Sequence, residues 1–294
     1  MEYGVFVTVY GRSKTGKSTC TGAAGAAGLF IGSPAGLLPL KSFLGIDKVN
    51  VKSAKNVDEA AELLLKHSGP EMPTIVVDDF SLLVEDTISQ LEKTHSFGDM
   101  WRALRAQVLR VRDAARKATE KGTHVIFTCH ESPPKTSSGK AVRGGPAMPG
   151  QLPEQFSAFS DVVARVKYDE TASPWKYTLC TVSDSQFIGG DRLSIFPLNA
   201  PMNIAEALRA AGHNLPRPKD LEWMEKTVAK LSSAVLKAGV ANWRETLKPA
   251  ADKLLEKHKP QHVRWALQDA LHRAILTNSR KGMVDDLFAE NDEW

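Results

Sequence analysis

Residues Gly11 to Ser18 read G-R-S-K-T-G-K-S, a spacing of two glycines, a lysine and a serine that suits the binding of phosphate groups. Glycine has no Cβ, so the backbone N–H groups of such a loop can turn inward around phosphate oxygens. The Lys17 ammonium would sit on the β- and γ-phosphates, and the Ser18 hydroxyl would ligate Mg²⁺. The sequence therefore predicts a nucleotide site of nine consecutive residues: Gly11, Arg12, Ser13, Lys14, Thr15, Gly16, Lys17, Ser18 and Thr19.

Two adjacent carboxylates end an apolar segment further along the chain. Thr74–Asp79 reads T-I-V-V-D-D, which is typical of a buried strand with an acidic tip. A nucleotide-bound Mg²⁺ prefers additional oxygen ligands, so we expect Asp78 to hold the metal through water. Asp79 is a candidate for orienting the attacking water. The alternative is a pair of solvated carboxylates at the end of a strand.

A third polar group follows another apolar segment. His124–Cys129 reads H-V-I-F-T-C and predicts a strand, after which come His130 and Glu131. At the tip of such a strand His130 can sense the γ-phosphate and pass its presence to the following loop. A histidine that merely caps the end of the strand is the alternative.

Alternating strand and helix patterns position these residues and indicate an α/β fold with a parallel sheet. Strands are predicted at Val5–Tyr10, Thr74–Asp79, His124–Cys129, Asp161–Val166 and Lys176–Val182, and helices at Ser18–Gly28, Val57–His67 and Asp99–Lys121. From about residue 201 the strand patterns stop, and amphipathic helices are predicted at 221–236, 243–258 and 262–277. We therefore expect a core of residues 1–212 and a helical C-terminal region of residues 213–294.

One segment between the predicted strands differs from the rest. Lys135–Gln151 is rich in glycine, proline and serine and carries three positive charges. This composition predicts a long flexible loop, which inside a compact domain is usually functional or disordered.

The composition of the 294 residues is that of a globular protein, with 42% hydrophobic and 24% charged residues. A net charge of +4 neither demands nor excludes nucleic acid. No apolar stretch approaches the roughly 20 residues of a membrane span, and no signal peptide is visible. We expect a cytoplasmic protein without a membrane partner, whose cysteines are buried free thiols.

Four arginines of the predicted helix Asp99–Lys121 lie within about 80° of one helix face: Arg102, Arg105, Arg112 and Arg116. The opposite face is apolar and predicts the side that packs on the core: Trp101, Leu104, Val108, Val111 and Ala115. The basic face is either solvated, or a subunit interface, or a path for DNA.

Five motifs, in order, resemble the RecA-core ATPases of bacteriophages: GRSKTGKST, TIVVDDFSLL, THVIFTCHE, PGQLPEQFSAFSDVVARV and GGDRLSIFP. This family is often labelled phage nucleotide-binding proteins and includes single-strand annealing recombinases. The resemblance covers about residues 4–212. It implies a RecA-like P-loop NTPase core with an all-α C-terminal appendage, ATP and Mg²⁺ as cofactors, a homo-oligomeric ring or filament, and the host cytoplasm if the gene is a phage's.

The resemblance also implies sites for single-stranded DNA. The mobile loop after the third strand would provide phosphate contacts from Lys135, Lys140 and Arg143. A second loop, after the acidic strand, would present Phe97 and Trp101 for stacking on bases.

One basic residue would act on a neighbouring subunit. In RecA-like rings and filaments a basic residue near the late G-D-R motif reaches the γ-phosphate held by the next subunit, and Arg192 occupies that position. The family often has a lysine before the Asp-Arg pair, where this chain has Gly190.

A second departure concerns the catalytic carboxylate. RecA-like cores usually carry a glutamate after the strand that follows the first helix, but the matching stretch, Leu29–Ile46, contains no carboxylate. Either Asp79 or Glu131 takes its place, or hydrolysis is weak.

The sequence thus predicts an Mg²⁺- and ATP-dependent, single-strand DNA-binding recombination or annealing ATPase that works as an oligomer. A nucleotide-gated assembly scaffold with little turnover and a helicase or packaging motor are the alternatives. A small-molecule kinase is disfavoured, because the loop after Glu131 has a single arginine instead of an arginine-rich lid.

The last ten residues, Asp285–Trp294, are acidic and end in an aromatic, whereas Arg217–Lys281 is basic. Such a tail can fold back and compete with DNA, recruit a single-strand binding or replication protein, or remain a solvated disordered end.

Overall fold

The structure, a computed structural model, describes residues 3–38, 40, 49–137, 140–168, 177–197, 200, 202–216, 226 and 230. The chain divides into two compact units, one of Met1–Leu40 with Asp47–Pro218 and one of Lys41–Ile46 with Lys219–Trp294. The helices predicted from residue 221 onward and the acidic tail lie outside the described residues, apart from two helical positions, Lys226 and Lys230. The predicted boundary at residue 212 stays a prediction.

A mostly parallel sheet forms the centre of the first unit. Its strands are β1 (Phe6–Gly11), β2 (Leu29–Gly32), β3 (Val51–Lys52), β4 (Thr74–Asp78), β5 (His124–Ser132), β8 (Gly145–Pro146), β9 (Val162–Tyr168), β10 (Tyr177–Cys180) and β11 (Gly190–Asp191). The main order is β10-β9-β1-β5-β4-β2-β3, with β11 added on β9 and β8 on β5. The pairs from β9 to β3 are parallel, whereas β10, β11 and β8 pair antiparallel with their neighbours.

Helices connect these strands. They are α1 (Lys17–Ala26), α2 (Val57–His67), α3 (Phe80–Leu91), α4 (Phe97–Glu120), α5 (Leu152–Ser157) and α6 (Ile204–Ala210), and a short 3₁₀ turn covers Pro34–Leu37. Helix α2 begins where the Asn56 side chain accepts a hydrogen bond from the Glu59 N–H, a normal N-cap. The prediction of an α/β core with a mainly parallel sheet is confirmed.

Four phenylalanines pack together at the centre of the core. Phe6, Phe80, Phe127 and Phe156 are fully buried, and their ring centroids lie 5.0–5.6 Å apart. They come from β1, α3, β5 and α5. The cluster therefore joins the strand before the phosphate loop, the helix after the two aspartates and the strand that carries His130. Edge-to-face and offset contacts of this kind stabilise a core beyond the apolar area they bury.

The segment predicted as a long flexible loop instead contains ordered strands, so that prediction is wrong. β6 (Lys135–Ser137) and β7 (Lys140–Val142) form a separate antiparallel pair, and β8 returns to pair with Glu131 and Ser132 of β5. In these strands backbone N–H and C=O groups bond to each other. The glycine- and serine-rich composition had instead predicted a backbone that bonds to water.

The predicted core stripe of α4 is confirmed, since Leu104, Val108, Val111 and Ala115 are buried. The basic face is not simply solvated. Arg105 donates to Gln155 at 3.2 Å, Arg112 lies over the Phe159 ring, and Arg116 pairs with Asp161 at 3.0 Å. The remaining arginine, Arg102, pairs with Asp99. Three of these four arginines therefore bind α4 to residues 155–161.

Of the three cysteines, which form no disulfide, Cys20 and Cys129 are buried and Cys180 is partly exposed. Within the described part of the chain, no helix is both long and apolar enough to span a bilayer.

A buried histidine makes the stability of this unit depend on pH. The His124 Nδ1 accepts a hydrogen bond from the Val5 N–H at 3.0 Å and the ring packs edge-on against His213. Burial, with a smaller contribution from His213, lowers the pKa of His124 from 6.5 to about 4. Between pH 6.5 and about 4 the unfolded chain binds a proton at His124 that the folded protein does not bind. The free energy of unfolding therefore decreases as the pH falls through this range.

We expect His124 to remove about 3 kcal/mol from the free energy of unfolding as the pH falls from 6.5 to about 4. Denaturant titrations at several pH values would compare the wild type with His124→Gln, which cannot titrate but keeps an acceptor atom. The variant should be the less stable at pH 7, and this disadvantage should shrink toward pH 4. A difference that stays constant over this range contradicts the assignment.

Candidate phosphate-loop site

The phosphate loop connects the end of β1 to the start of α1. Gly16 has a φ of +85° and Lys14 a φ of +63°, so both adopt the left-handed conformation that turns the backbone inward. Gly11 must also lack a side chain, because a Cβ there would lie 2.7 Å from the Val166 Cβ on β9. The first glycine is thus required by its close approach to β9, and Gly16 is favoured by its left-handed backbone.

Lys17 lies inside the loop. Its Nζ donates to the carbonyl oxygens of Gly11 at 3.1 Å and Arg12 at 2.9 Å, and only 7% of the residue is exposed. Burial lowers the pKa of the Lys17 ammonium below its ordinary value, while Asp79 and Asp78 oppose that shift. The Lys17 charge is therefore placed in a poorly hydrated loop close to two carboxylates.

Asp78 and Asp79 have different partners although they are adjacent. Asp78 is buried and accepts a hydrogen bond from the Thr128 hydroxyl of β5. The Asp79 carboxylate accepts from the Ser81 N–H at 2.8 Å and so caps α3. The peptide bond between the two aspartates is cis. The pattern predicted Asp79 as the last strand residue, but it begins the following helix.

His130 completes this cluster. Its Nε2 lies 3.2 Å from the Asp79 Oδ2, and in the sheet its Cα is paired with that of Gly11. Burial raises the pKa of the Asp79 carboxyl above its ordinary value, and the nearby His130 opposes this effect. A carboxylate with a raised pKa that is oriented by a histidine suits proton transfer from water near neutral pH.

His130 also connects the cluster to the segment that follows. The His130 N–H donates to the Ser81 hydroxyl at 3.0 Å, and its carbonyl accepts from the Ala147 N–H at 2.7 Å. The residue thus contacts both the start of α3 and Ala147, which follows the antiparallel hairpin of β6 and β7 (the inserted hairpin). This placement agrees with the sensor interpretation, which stays a prediction.

Glu131 has a different environment from Asp79. Its carboxylate receives the Arg165 Nε at 2.7 Å and lies 3.8 Å from the Arg12 Nε, and the side chain is only 4% exposed. The Arg165 guanidinium also stacks on the Phe187 ring. Both Glu131 oxygens are engaged by arginines and are not free to contact a water, so the geometry favours Asp79 as the base. The role predicted for Glu131 stays open to the test below.

These residues fit a nucleotide with Mg²⁺. No side chain caps the N-terminus of α1, so its first-turn N–H groups and helix dipole are directed toward the phosphate position. Ser18 and Asp78 supply a hydroxyl and a carboxylate, the hard oxygen ligands that Mg²⁺ prefers. No group of three or more His, Cys, Asp and Glu side chains suited to a metal occurs within the described residues. A metal here would therefore need oxygens from the phosphates and water as well.

Arg192 lies away from the phosphate loop of its own chain. β11 pairs with the first residues of β9, and the Arg192 N–H donates to the Asp161 carbonyl at 3.0 Å. This is the amino-terminal edge of the sheet, whereas the phosphate loop follows the carboxyl end of β1. The Arg192 guanidinium donates to the Ala158 carbonyl. Any action of Arg192 on a phosphate must involve a second subunit.

The structure brings the two predicted DNA-binding segments together. Phe97 is 78% exposed and packs edge-on against Trp101. Trp101 lines a cavity of about 420 Å³ whose opposite wall is Pro149–Leu152, the end of the basic segment. Lys135 is exposed on β6, while the Lys140 side chain lies outside the described residues.

Arg143 has partners within the chain. Its guanidinium donates to Ser183 at 3.0 Å and to Glu154 at 3.3 Å. The contact with DNA predicted for Arg143 would therefore compete with these bonds.

Sequence reasoning missed three residues of the site: Ser81, Thr128 and Arg165. Arg165 had a visible signal, because it is a charged residue within the apolar strand V-V-A-R-V. Thr128 likewise interrupts an apolar strand. Ser81 has no local signal, since its role depends on contacts between α3 and β5.

A family model described as an AAA domain matches residues 4–193. No curated protein matches the chain. A solved structure of a KaiC-like protein from the archaeon Pyrococcus horikoshii is 19% identical, with a TM-score of 0.37, covering 60% of this chain and 78% of that one.

Two further solved structures are similar. The RadB recombinase is 16% identical with a TM-score of 0.38, covering 56% of this chain and 75% of that one. The flagellar accessory protein FlaH from Methanocaldococcus jannaschii is 12% identical with a TM-score of 0.40, covering 65% of this chain and 83% of that one.

Two amide substitutions distinguish the candidate bases. Asp79→Asn keeps an oxygen to cap α3 but removes the base, so ATP turnover should fall by about 10²–10⁴-fold. Glu131→Gln leaves Arg165 uncompensated and should reduce the free energy of unfolding by about 2–4 kcal/mol, with turnover within about tenfold of wild type. Steady-state hydrolysis and denaturant titration measure both effects. A folded Glu131→Gln protein that loses turnover while Asp79→Asn keeps it would assign the base to Glu131.

Proposed function

Because the chain belongs to the AAA domain family, we propose that it is an ATPase that requires Mg²⁺ and binds single-stranded DNA. We further propose that it acts as an oligomer in recombination or single-strand annealing. The observation that carries the proposal is the convergence of Lys17, Asp78 and the Asp79–His130 pair beside the phosphate loop.

The geometry divides the chemical work among these residues. Loop N–H groups and Lys17 hold the phosphates and stabilise the negative charge that shifts during transfer. Asp79 accepts a proton from the attacking water, and His130 fixes the orientation of its carboxylate through Oδ2. Mg²⁺, when bound by Ser18 and Asp78, would supply charge neutralisation at the phosphates.

The support for DNA binding is the surface around Trp101. An exposed Phe97, a half-buried Trp101 and the cavity beside Pro149–Leu152 offer flat apolar surface on which bases can stack. The exposed hairpin that carries Lys135 and Lys140 adds positive charge, which favours a phosphate backbone. His130 contacts Asp79 on one side and Ala147 on the other, so one residue connects the nucleotide to this surface.

The support for an oligomer is the position of Arg192. Since Arg192 lies at the edge of the sheet opposite to its own phosphate loop, a head-to-tail neighbour would bring it to the loop of the next subunit. Such heterologous contacts produce rings when the rotation closes and filaments when it does not.

A nucleotide-gated scaffold with little turnover is the second candidate. It is favoured because Leu29–Ile46 contains no carboxylate and because Arg165 engages Glu131, so two of the positions that could supply a catalytic base do not offer one. A helicase or packaging motor shares the same core and differs in coupling turnover to movement along DNA.

The main test is ATP hydrolysis with and without single-stranded DNA. Wild-type turnover should rise when single-stranded DNA is added. Lys17→Ala should lower turnover by at least about 100-fold, because it removes the positive charge that contacts the transferred phosphate. Lys66→Ala, which removes an exposed lysine of α2 outside the loop, is the matched control. ATP binding without turnover selects the scaffold, and unchanged turnover in Lys17→Ala overturns the proposal.

The inserted hairpin should carry the salt dependence of DNA binding. The double variant Lys135→Gln with Lys140→Gln should bind single-stranded DNA more weakly. The slope of the logarithm of the binding constant against the logarithm of the salt concentration should become smaller in magnitude by about 1.4, or roughly 0.7 for each lost phosphate contact. Arg143 is left unchanged because its removal would also disturb Glu154. The control is Lys66→Gln with Lys117→Gln, which removes equal charge from two exposed helix positions. Equal effects of the two pairs would show that the hairpin does not contact DNA.

Mixing experiments test the action of Arg192 between subunits. Arg192→Ala alone and Lys17→Ala alone should both be nearly inactive, because each assembly lacks one half of every site. Mixed in equal amounts, they should recover part of the activity, since some interfaces then combine an intact loop with an intact arginine. Mixtures no more active than the separate proteins would show that Arg192 does not act on a neighbour.

A further inference from the structure

The direction in which a bound nucleotide extends follows from the order of the strands. Asp78 and Asp79 lie at the end of β4, on one side of β1, while β9 and β10 lie on the other side. In the proposed function the terminal phosphate faces the acidic pair, because Asp78 would hold the metal there and Asp79 would accept the proton of the attacking water. The nucleoside at the other end of the chain of phosphates therefore leaves the loop toward the β9–β10 side.

One apolar side chain contacts the loop on that side. A Cβ placed on Gly16 would lie 3.7 Å from the Met202 Cε, which is ordinary van der Waals contact. Met202 is half-buried, and among the described residues it is the only one within 4 Å of that position apart from Gly16's neighbours along the chain and the backbone of its own helix. It is not one of the residues that form or pack against the aromatic-centred core cluster around Phe80 and Phe127.

Neighbouring residues hold Met202 in place. Ala200 exchanges two backbone hydrogen bonds with Leu179 of β10, at 2.8 and 2.9 Å. Asn203 caps α6 by accepting from the Glu206 N–H at 3.2 Å. Helix α6 packs on α1, where the Ile204 N–H reaches the buried Cys20 sulfur. Met202 thus stands on a short segment fixed both to the edge of the sheet and to the helix that follows the phosphate loop.

We propose that Met202 is a specificity-determining residue whose side chain packs on the aromatic base of the bound nucleotide. A flexible, polarisable thioether adapts well to the face or edge of a flat ring. The role rests on the proposed nucleotide-binding function and adds to it a reason for the site to prefer a nucleoside phosphate over inorganic phosphates.

The test compares the binding of ADP with that of inorganic pyrophosphate, since neither undergoes turnover and the second has no nucleoside. Titration calorimetry with Mg²⁺ and without DNA should show that wild type binds ADP more tightly than pyrophosphate. Met202→Ala should weaken ADP binding by about three- to tenfold and leave pyrophosphate binding unchanged. Met202→Leu, which keeps apolar contact, should remain close to wild type.

Met148→Ala is the matched control, because Met148 is equally half-buried but packs on the main core. It should change neither affinity. Three results overturn the inference while leaving nucleotide binding intact: equal weakening of both ligands by Met202→Ala, no weakening of either, or wild-type binding of pyrophosphate as tight as that of ADP. A wild-type protein that binds neither ligand refutes the proposed function itself.

Discussion

The candidate site depends on the insertion of β5 between β1 and β4. Parallel pairing puts Gly11 opposite His130 on one side of β5 and Val77 opposite Phe127 on the other. Because carboxyl ends of parallel strands meet at one edge of the sheet, a ligand held by the loop of β1 and the carboxylates of β4 faces the end of β5. Thr128, His130 and Glu131 then each contact a different part of that edge.

Burial makes the local electrostatics of this edge effective. Burial lowers the pKa of the Lys17 ammonium against the opposing effect of nearby Asp79 and Asp78, and burial raises the pKa of the Asp79 carboxyl. In exposed positions the same charges would be screened and would contribute little. The loop closes around Lys17 through backbone carbonyls, so the ammonium is in position before any ligand arrives and little reorganisation is needed when phosphates bind.

Features that depend on neighbouring residues in the sequence could be predicted. Contacts between residues far apart in the sequence could not be predicted. The phosphate loop, the apolar strand before it and the polar tip at Asp78 follow from composition and spacing within a few residues. The pairing of Arg165 with Glu131 and of Arg116 with Asp161 joins residues more than thirty positions apart. The strands of the inserted segment were hidden because glycine, serine and proline favour turns over strands, and tertiary pairing overrode that preference.

The way in which the inserted hairpin is attached to the main sheet allows its sequence and length to vary during evolution. β6 and β7 pair only with each other among the described strands, and the segment returns to the main sheet through the two residues of β8. Lengthening a loop that is closed at its base costs only about 0.6 kcal/mol for each doubling of its length. New hairpins of different size and charge can therefore be exchanged between Ser132 and Gly145 while the edge that carries the phosphate loop is preserved, so the surface beside this edge can vary independently of the edge itself.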